Sequence, residues 1–118
     1  MTGFVDLLFT HEGKSFFLDW KSDILPSFDE ESLVRHVEAN YETQAHLYTL
    51  ALLRLLGVSD EASFEGRFGG FLYVFLRGLD PASPGTGVYA RRPSWREVLE
   101  TERALLDPAR FAALGAGR

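Results

Sequence analysis

Apolar positions in the first third of the chain fall in short dense blocks, and further on they recur at three- and four-residue steps. The block Gly3-Phe4-Val5-Asp6-Leu7-Leu8-Phe9-Thr10, rich in branched and aromatic residues, predicts a mostly buried strand. His11-Glu12-Gly13-Lys14 is a short polar connection containing glycine, which signals a hairpin. Ser15-Phe16-Phe17-Leu18-Asp19-Trp20-Lys21 is then the return strand. Ser22–Glu30 contains Pro26 and three acidic residues and reads as a loop.

From Glu31 to about Leu56 the period becomes helical, through Leu33, Val37, Tyr41, Gln44, Tyr48, Ala51, Leu52 and Leu55. Gly57 is placed to stop that helix. Ser59–Arg67 is polar and reads as loop. Gly69–Gly78 is a third strand bounded by glycines, and Asp80–Gly87, with Pro81, Pro84 and Gly85, is turn-rich. Gly87-Val88-Tyr89-Ala90 has the length of a short edge strand. Ser94-Trp95-Arg96-Glu97 has the spacing of a capping box and opens a final helix to about Leu106, which Asp107-Pro108 breaks. The tail Ala112–Arg118 consists mainly of small residues. Strand, strand, long helix, strand, short strand, helix is an α/β layer arrangement with at least one antiparallel hairpin.

Composition narrows the function classes. With 118 residues the chain has room for one small domain, and 46% hydrophobic residues with 10 Phe can build a core. No apolar run reaches the roughly 18 residues a membrane helix needs, and no signal-peptide pattern opens the chain. There is no cysteine, so disulfides, thiolate zinc sites and cysteine-ligated iron–sulfur clusters are excluded; this suits a cytoplasmic protein. The net charge of −5 has the wrong sign for free-standing DNA binding. It suits an acidic metal site in a larger protein whose other parts grip the DNA. The first strand begins almost at the initiator Met, so the chain is expected to be a fragment of a longer one.

Asp6 and Asp19 stand out because both lie in otherwise apolar strands, where an unpaired carboxylate is costly. Strand side chains alternate, so Asp19 and Lys21 share a face, and hairpin pairing can bring Asp6 beside it. Two carboxylates and an ammonium would converge at one end of a sheet. Hard oxygen ligands of this kind suit Mg²⁺, with Mn²⁺ as the alternative. Such a metal would hold both carboxylates ionised and acidify a water, with Lys21 orienting the water or stabilising charge on a phosphate. The plainer alternative is a structural Asp6–Lys21 ion pair with Asp19 ending its strand. D-x-K is common by chance, so spacing alone leaves both open.

Gln44 and Tyr48, four residues apart, share one helix face, with Tyr41 on the same side. They either hold a water or a phosphate beside the carboxylates or belong to an ordinary amphipathic helix. His11, His36 and His46 lack metal-type partners and read as surface or filler residues. Trp20 is expected to pack in the core, and its backbone carbonyl, between Asp19 and Lys21, is one more oxygen for a metal. Arg91, Arg92 and Arg96 form the basic cluster, placed either to touch DNA or to decorate a solvated helix start.

The series G-F-V-D-L, then L-D-W-K-S, then Y-E-T-Q-A-H-L-Y-T-L-A-L resembles the ordered motifs of RecB-type nucleases in the PD-(D/E)XK superfamily. F-G-G-F-L-Y-V-F-L-R-G and G-V-Y-A-R-R-P extend the resemblance, which runs from Gly3 to about Leu106. It implies a restriction-endonuclease-like mixed sheet flanked by helices. It makes residues 1–118 the C-terminal portion of such a nuclease domain, with core motifs over 3–48 and a terminal helix over about 94–106. It implies catalytic roles for Asp6, Asp19, Lys21, Gln44 and Tyr48, with Asp6, Asp19 and the Trp20 carbonyl at a Mg²⁺ ion. It also implies a nuclease module acting on DNA in double-strand break repair and recombination, alongside the rest of its own chain and RecC- and RecD-like subunits. Such domains carry an upstream helical part with a His or acidic metal ligand, which this chain lacks, so the fragment alone is expected to be weak or inactive. The helicase loop G-x-x-x-x-G-K-S/T is absent. The competing expectations are another PD-(D/E)XK exonuclease, AddA-like or phage-type, and a non-catalytic nuclease fold kept for interaction. Intact Asp6, Asp19 and Lys21 argue against the last.

Overall fold

A computed structural model describes residues 6–83 and 86–106. The expectations for Gly3–Val5 of the first strand, for Pro84 and Gly85, for the Asp107-Pro108 break and for the tail Ala112–Arg118 lie outside the described residues. Strand β1 (Leu7–His11) and strand β2 (Lys14–Lys21) form the hairpin. The turn at Glu12 and Gly13 has φ of 51° and 80°. Two left-handed residues in a row match the twist of a two-residue hairpin, and glycine takes the second without strain. Helices α1 (Glu30–Asn40), α2 (Glu42–Leu55) and α3 (Glu61–Arg67) then lead to β3 (Phe68–Phe75). A short 3₁₀ turn at Leu76–Gly78, β4 (Val88–Arg91) and α4 (Trp95–Leu106) complete the order.

The sheet order is β1-β2-β3-β4, with β1–β2 antiparallel, β2–β3 parallel and β3–β4 antiparallel. The fold is therefore α/β, a mixed sheet flanked by helices, as expected. The three-helix crossover is what lets β2 and β3 run parallel. One sheet face carries Phe17, Asp19 and Lys21 from β2, Phe71, Tyr73 and Phe75 from β3 and Tyr89 from β4, all buried. Over it lie Leu33 and Val37 of α1 and Ala45, Tyr48 and Leu52 of α2. Helix α4 packs on α2 from the outside.

Local chemistry explains the boundaries. Asp29 caps α1 by accepting from the Ser32 amide at 2.8 Å. Gly57, at φ 72°, ends α2. Its amide donates to Arg54 O at 3.1 Å and that of Val58 to Leu53 O at 2.9 Å, the paired bonds of a Schellman motif. The capping box of α4 forms in both directions: Glu97 N donates to Ser94 Oγ at 3.1 Å, and Ser94 N donates to the Glu97 carboxylate at 2.7 Å. Ser94→Ala removes one of these bonds and should lower stability by about 1 kcal/mol. Urea unfolding of the chain checks this, and an unchanged midpoint would show that the box is dispensable.

Four expectations need correction. The long helix is two helices, broken at Tyr41, whose φ of −125° and ψ of 1° are not helical. The apolar period carries across because Tyr41 N still donates to Val37 O and Ala45 N to Tyr41 O. Residues 59–67 are not all loop. Asp60 caps α3 through the Ser63 amide at 2.7 Å, and one apolar anchor, Phe64, holds it to the core. Strand β1 is not buried, since Leu7 and Leu8 are both 45% exposed. It lies at the edge of the sheet, and the helices pack over the other three strands. Trp20 is 47% exposed rather than in the core, because alternation turns it away from the face that Asp19 and Lys21 share.

The third strand needs its glycines. Ser15 pairs with Phe68 but Phe16 with Gly70, so Gly69 is the extra residue of a bulge. A Cβ on Gly69 would lie 2.1 Å from the Phe16 ring, which rests on that backbone.

Candidate functional site

Asp19 and Lys21 lie at the C-terminal end of β2. Asp19 and Lys21 are 7% and 8% exposed, which for charged side chains demands partners. Lys21 Nζ lies 2.8 Å from Asp19 Oδ2 and donates to Gln44 Oε1 at 2.9 Å. Two aromatic faces enclose the ammonium, the Tyr41 ring with its centroid at 4.0 Å and the Tyr73 ring at 4.8 Å. Tyr73 Oη also donates to Gln44 Oε1, at 3.1 Å, which fixes the amide's orientation.

Asp6 directly precedes β1. Extending the Leu7–Leu18 register by one step sets it opposite Asp19, and directly opposed residues project to one face. Asp6 Oδ2 accepts the Trp20 amide at 2.7 Å. In a strand the N–H and C=O of one residue point to the same side, so the Trp20 carbonyl also faces the Asp6 side of β2. The two carboxyl groups are neighbours across the hairpin. The neighbouring Asp19 carboxyl and the Trp20 amide hold Asp6 below the usual carboxylate range. Burial, then Asp6, push Asp19 above it, against the opposing pull of Lys21. The ion pair of the plainer alternative does exist, but Lys21 makes it with Asp19 rather than with Asp6.

Gln44 and Tyr48 follow on α2. Gln44 touches Lys21 directly. Tyr48, one turn further, is 7% exposed and sets its ring edge-on to Phe17, with centroids 6.0 Å apart. Burial, with Asp19 and Asp6 adding to it, raises the Tyr48 phenol, so it remains a neutral group. Asp6, Asp19, Trp20, Lys21 and Gln44 thus lie around the same strand end, with Tyr48 one turn along α2 against Phe17.

Behind Lys21 is a second polar group that the sequence reading did not find. His36 Nε2 is 2.6 Å from Asp23 Oδ2, and Tyr41 Oη donates to the same oxygen at 2.7 Å. Asp23 is held low by these two partners, which outweigh its burial. His36 is therefore no filler, and His46, 3.1 Å from Thr101 Oγ1, is partnered too. His11 is exposed, as expected. No short motif links Asp23, His36 and Tyr41; the available signal was a His and a Tyr inside an otherwise regular helical pattern.

The basic cluster is taken up by structural contacts. Arg91 pairs with Glu97, and Arg96 with Glu100 at 3.2 Å. Arg92 donates to Phe68 O at 2.9 Å and lies over the Phe64 ring.

As a cation site, the strand end offers two carboxylates within reach of one another, a carbonyl on the same side and no soft donor. Mutual repulsion leaves one carboxyl prone to hold a proton, and a divalent ion would relieve that repulsion. Hard-oxygen donors fit Mg²⁺ or Mn²⁺. Among the described residues no three Asp, Glu or His side chains converge.

No family model matches the chain. It is similar to curated proteins named RecBCD enzyme subunit RecB. The Escherichia coli (strain K12) protein is 40% identical over 101 residues, 80% of this chain and 8% of that protein. The Haemophilus influenzae protein is 37% identical over 106 residues, 85% of this chain and 9% of its own length. The protein of Buchnera aphidicola subsp. Acyrthosiphon pisum is 30% identical over 107 residues, 86% of this chain and 9% of that protein. The chain thus spans less than a tenth of the length of these three relatives.

Proposed function

This chain is a RecB-like segment, and on that premise we propose that it is the metal-dependent nuclease part of a RecBCD-type helicase–nuclease that hydrolyses DNA phosphodiesters. The observation that carries the reading is the buried Asp19–Lys21 pair beside Asp6. Burying two charges costs several kcal/mol per ion, and an apolar pair of similar volume would serve stability as well or better. Charged groups kept buried at such a cost, with carboxyl pKa values pushed apart, are what a chemical site requires.

Asp6, Asp19 and the Trp20 carbonyl would hold a Mg²⁺ ion, with Mn²⁺ as a substitute. When bound, such an ion neutralises phosphate charge and makes a water more acidic. Lys21, fixed by Gln44, Tyr41 and Tyr73, presents a stationary positive charge to the non-bridging oxygens of the scissile phosphate as negative charge develops there. Gln44 holds the ammonium in place. Tyr48 keeps a neutral hydroxyl beside the carboxylates, able to donate to a phosphate oxygen without adding repulsion. Residues 1–118 act as the C-terminal part of the nuclease domain within a longer RecB-like chain. Its partners are DNA and RecC- and RecD-like subunits, in double-strand break repair and recombination in the cytoplasm. A net charge of −5 leaves the main grip on DNA to those other parts. Among the described residues no helix is long and apolar enough to cross a membrane.

Metal binding tests the reading directly. Paramagnetic Mn²⁺ added to the chain should broaden the amide resonances of Asp6, Asp19, Trp20 and Lys21 first, and chelation should restore them. Asp6→Asn with Asp19→Asn should abolish the effect. Broadening centred instead on the exposed acidic stretch Glu30-Glu31, with the strand end untouched, would sink the proposal.

A further inference from the structure

We propose that Tyr41 is a positioning residue for Lys21, gripped from behind by Asp23 and His36. The inference rests on the nuclease reading above and adds to it a device that sets the lysine. Three observations carry it. First, the Tyr41 ring covers Lys21 Nζ at 4.0 Å, closer than Tyr73 at 4.8 Å, while among the described residues the ammonium's acceptors are Asp19 and Gln44. A buried ammonium with two acceptors gains further stabilisation from the negative faces of the two rings.

Second, the backbone departs from helical geometry at Tyr41, at φ −125° and ψ 1°, between α1 and α2. The residue nonetheless keeps its amide bond to Val37 O at 2.7 Å and accepts from Ala45 N at 2.9 Å. The break therefore acts as a pivot rather than a loop, and the side chain at the pivot is the one that meets Lys21. Third, the ring cannot turn freely. Its hydroxyl donates to Asp23 Oδ2 at 2.7 Å, the same oxygen lies 2.6 Å from His36 Nε2, and Asn40 Nδ2 lies 3.2 Å from His36 Nδ1. His36 also sets its ring edge-on to Tyr41 and to Phe75, each at 5.8 Å. Burial and the Asp23 carboxylate push the Tyr41 phenol far above its ordinary value, so it stays a neutral donor.

Tyr41 would thus act through Lys21 without touching substrate. The chain of contacts runs from the loop after β2, through Asp23, across α1, to the ammonium. Core packing is the competing role, and it predicts a different outcome. In the RecBCD-type enzyme carrying this segment, cleavage of single-stranded DNA needs no unwinding step. There, Tyr41→Leu should lower kcat about tenfold with KM for DNA and Mn²⁺ affinity unchanged. Tyr41→Phe, which keeps the ring and loses only the Asp23 bond, should restore most of that turnover. Asp23→Ala, which frees the ring without deleting it, should lower kcat in the same direction by less, and it serves if Tyr41→Leu does not fold. Melting temperatures measured alongside separate folding from turnover. Tyr41→Leu and Asp23→Ala that lose stability but keep wild-type kcat, while Lys21→Met is inactive, would overturn the positioning role and leave the nuclease reading standing. A fully active Lys21→Met would instead overturn the nuclease reading, and this inference with it.

Discussion

Lys21→Met in the RecBCD-type enzyme is expected to slow Mg²⁺-dependent DNA cleavage by about 10²–10³-fold, the usual cost of losing one preorganised charge-stabilising group. Asp19→Asn should cost at least as much for a different reason, because it removes a ligand and the ion leaves with it. The two variants should separate in a Mn²⁺ titration. The Lys21 ammonium lies 2.8 Å from Asp19 Oδ2, where it competes with a cation for the same carboxylate. Lys21→Met should therefore bind Mn²⁺ at least as tightly as the wild type while cleaving far more slowly, whereas Asp19→Asn should bind it weakly. Methionine fills most of the lysine's volume, so the site does not collapse into a void. The Asp19 left unpaired can take a proton, toward which burial and Asp6 already push it, so the loss of stability should stay below the 3–5 kcal/mol typical of a broken buried pair. Circular dichroism verifies that both variants fold. Undiminished cleavage by Lys21→Met would refute the mechanism and favour a non-catalytic nuclease fold kept for interaction.

The hairpin and its two carboxylates were legible because they depend on short-range rules. A glycine turn fixes the register of two strands, and a period of two decides which residues share a face. Lys21 and Asp19 could be grouped on that ground alone. The same rule, followed to its end, places Trp20 on the opposite face, where it is found, so assigning it to the core overlooked a signal already present. Other features were illegible for physical reasons. Burial of β1 depends on which layers lie over an edge strand, and its own composition does not say. The pivot at Tyr41 keeps the bonds from Tyr41 N to Val37 O and from Ala45 N to Tyr41 O, and neither glycine nor proline announces it. Helix α3 is short and polar, with Phe64 as its one buried residue, and only the Asp60 cap hinted at it. The Asp23–His36–Tyr41 group joins a loop to a position in α1 and to the break after it, 13 and 18 residues away, a distance that pattern reading does not span.

Phe17→Ala is expected to cost the chain about 3–5 kcal/mol, the range for removing a fully buried phenylalanine. Phe17 is 0% exposed, stacks on Phe71 with ring centroids 5.0 Å apart and planes 13° from parallel, and meets Tyr48 edge-on at 6.0 Å. Its removal deletes two aromatic contacts at once and opens a void between the sheet and α2, which a regular helix cannot sag to fill. A domain of this size has only about 5–15 kcal/mol in total, so the variant should lie near the edge of unfolding at room temperature. The effect should reach the site as well. Phe17 precedes Asp19 by two residues on the same face, and it supports the Tyr48 ring. In the fraction that stays folded, the Tyr48 ring should become mobile and Mn²⁺ broadening at the strand end less sharply localised. Urea unfolding followed by circular dichroism measures the main effect, and Phe17→Leu, which retains much of the bulk, should lose clearly less. A loss under 1 kcal/mol for Phe17→Ala would mean that α2 does not rest on β2 as described, and the support of Tyr48 by Phe17 would fall with it.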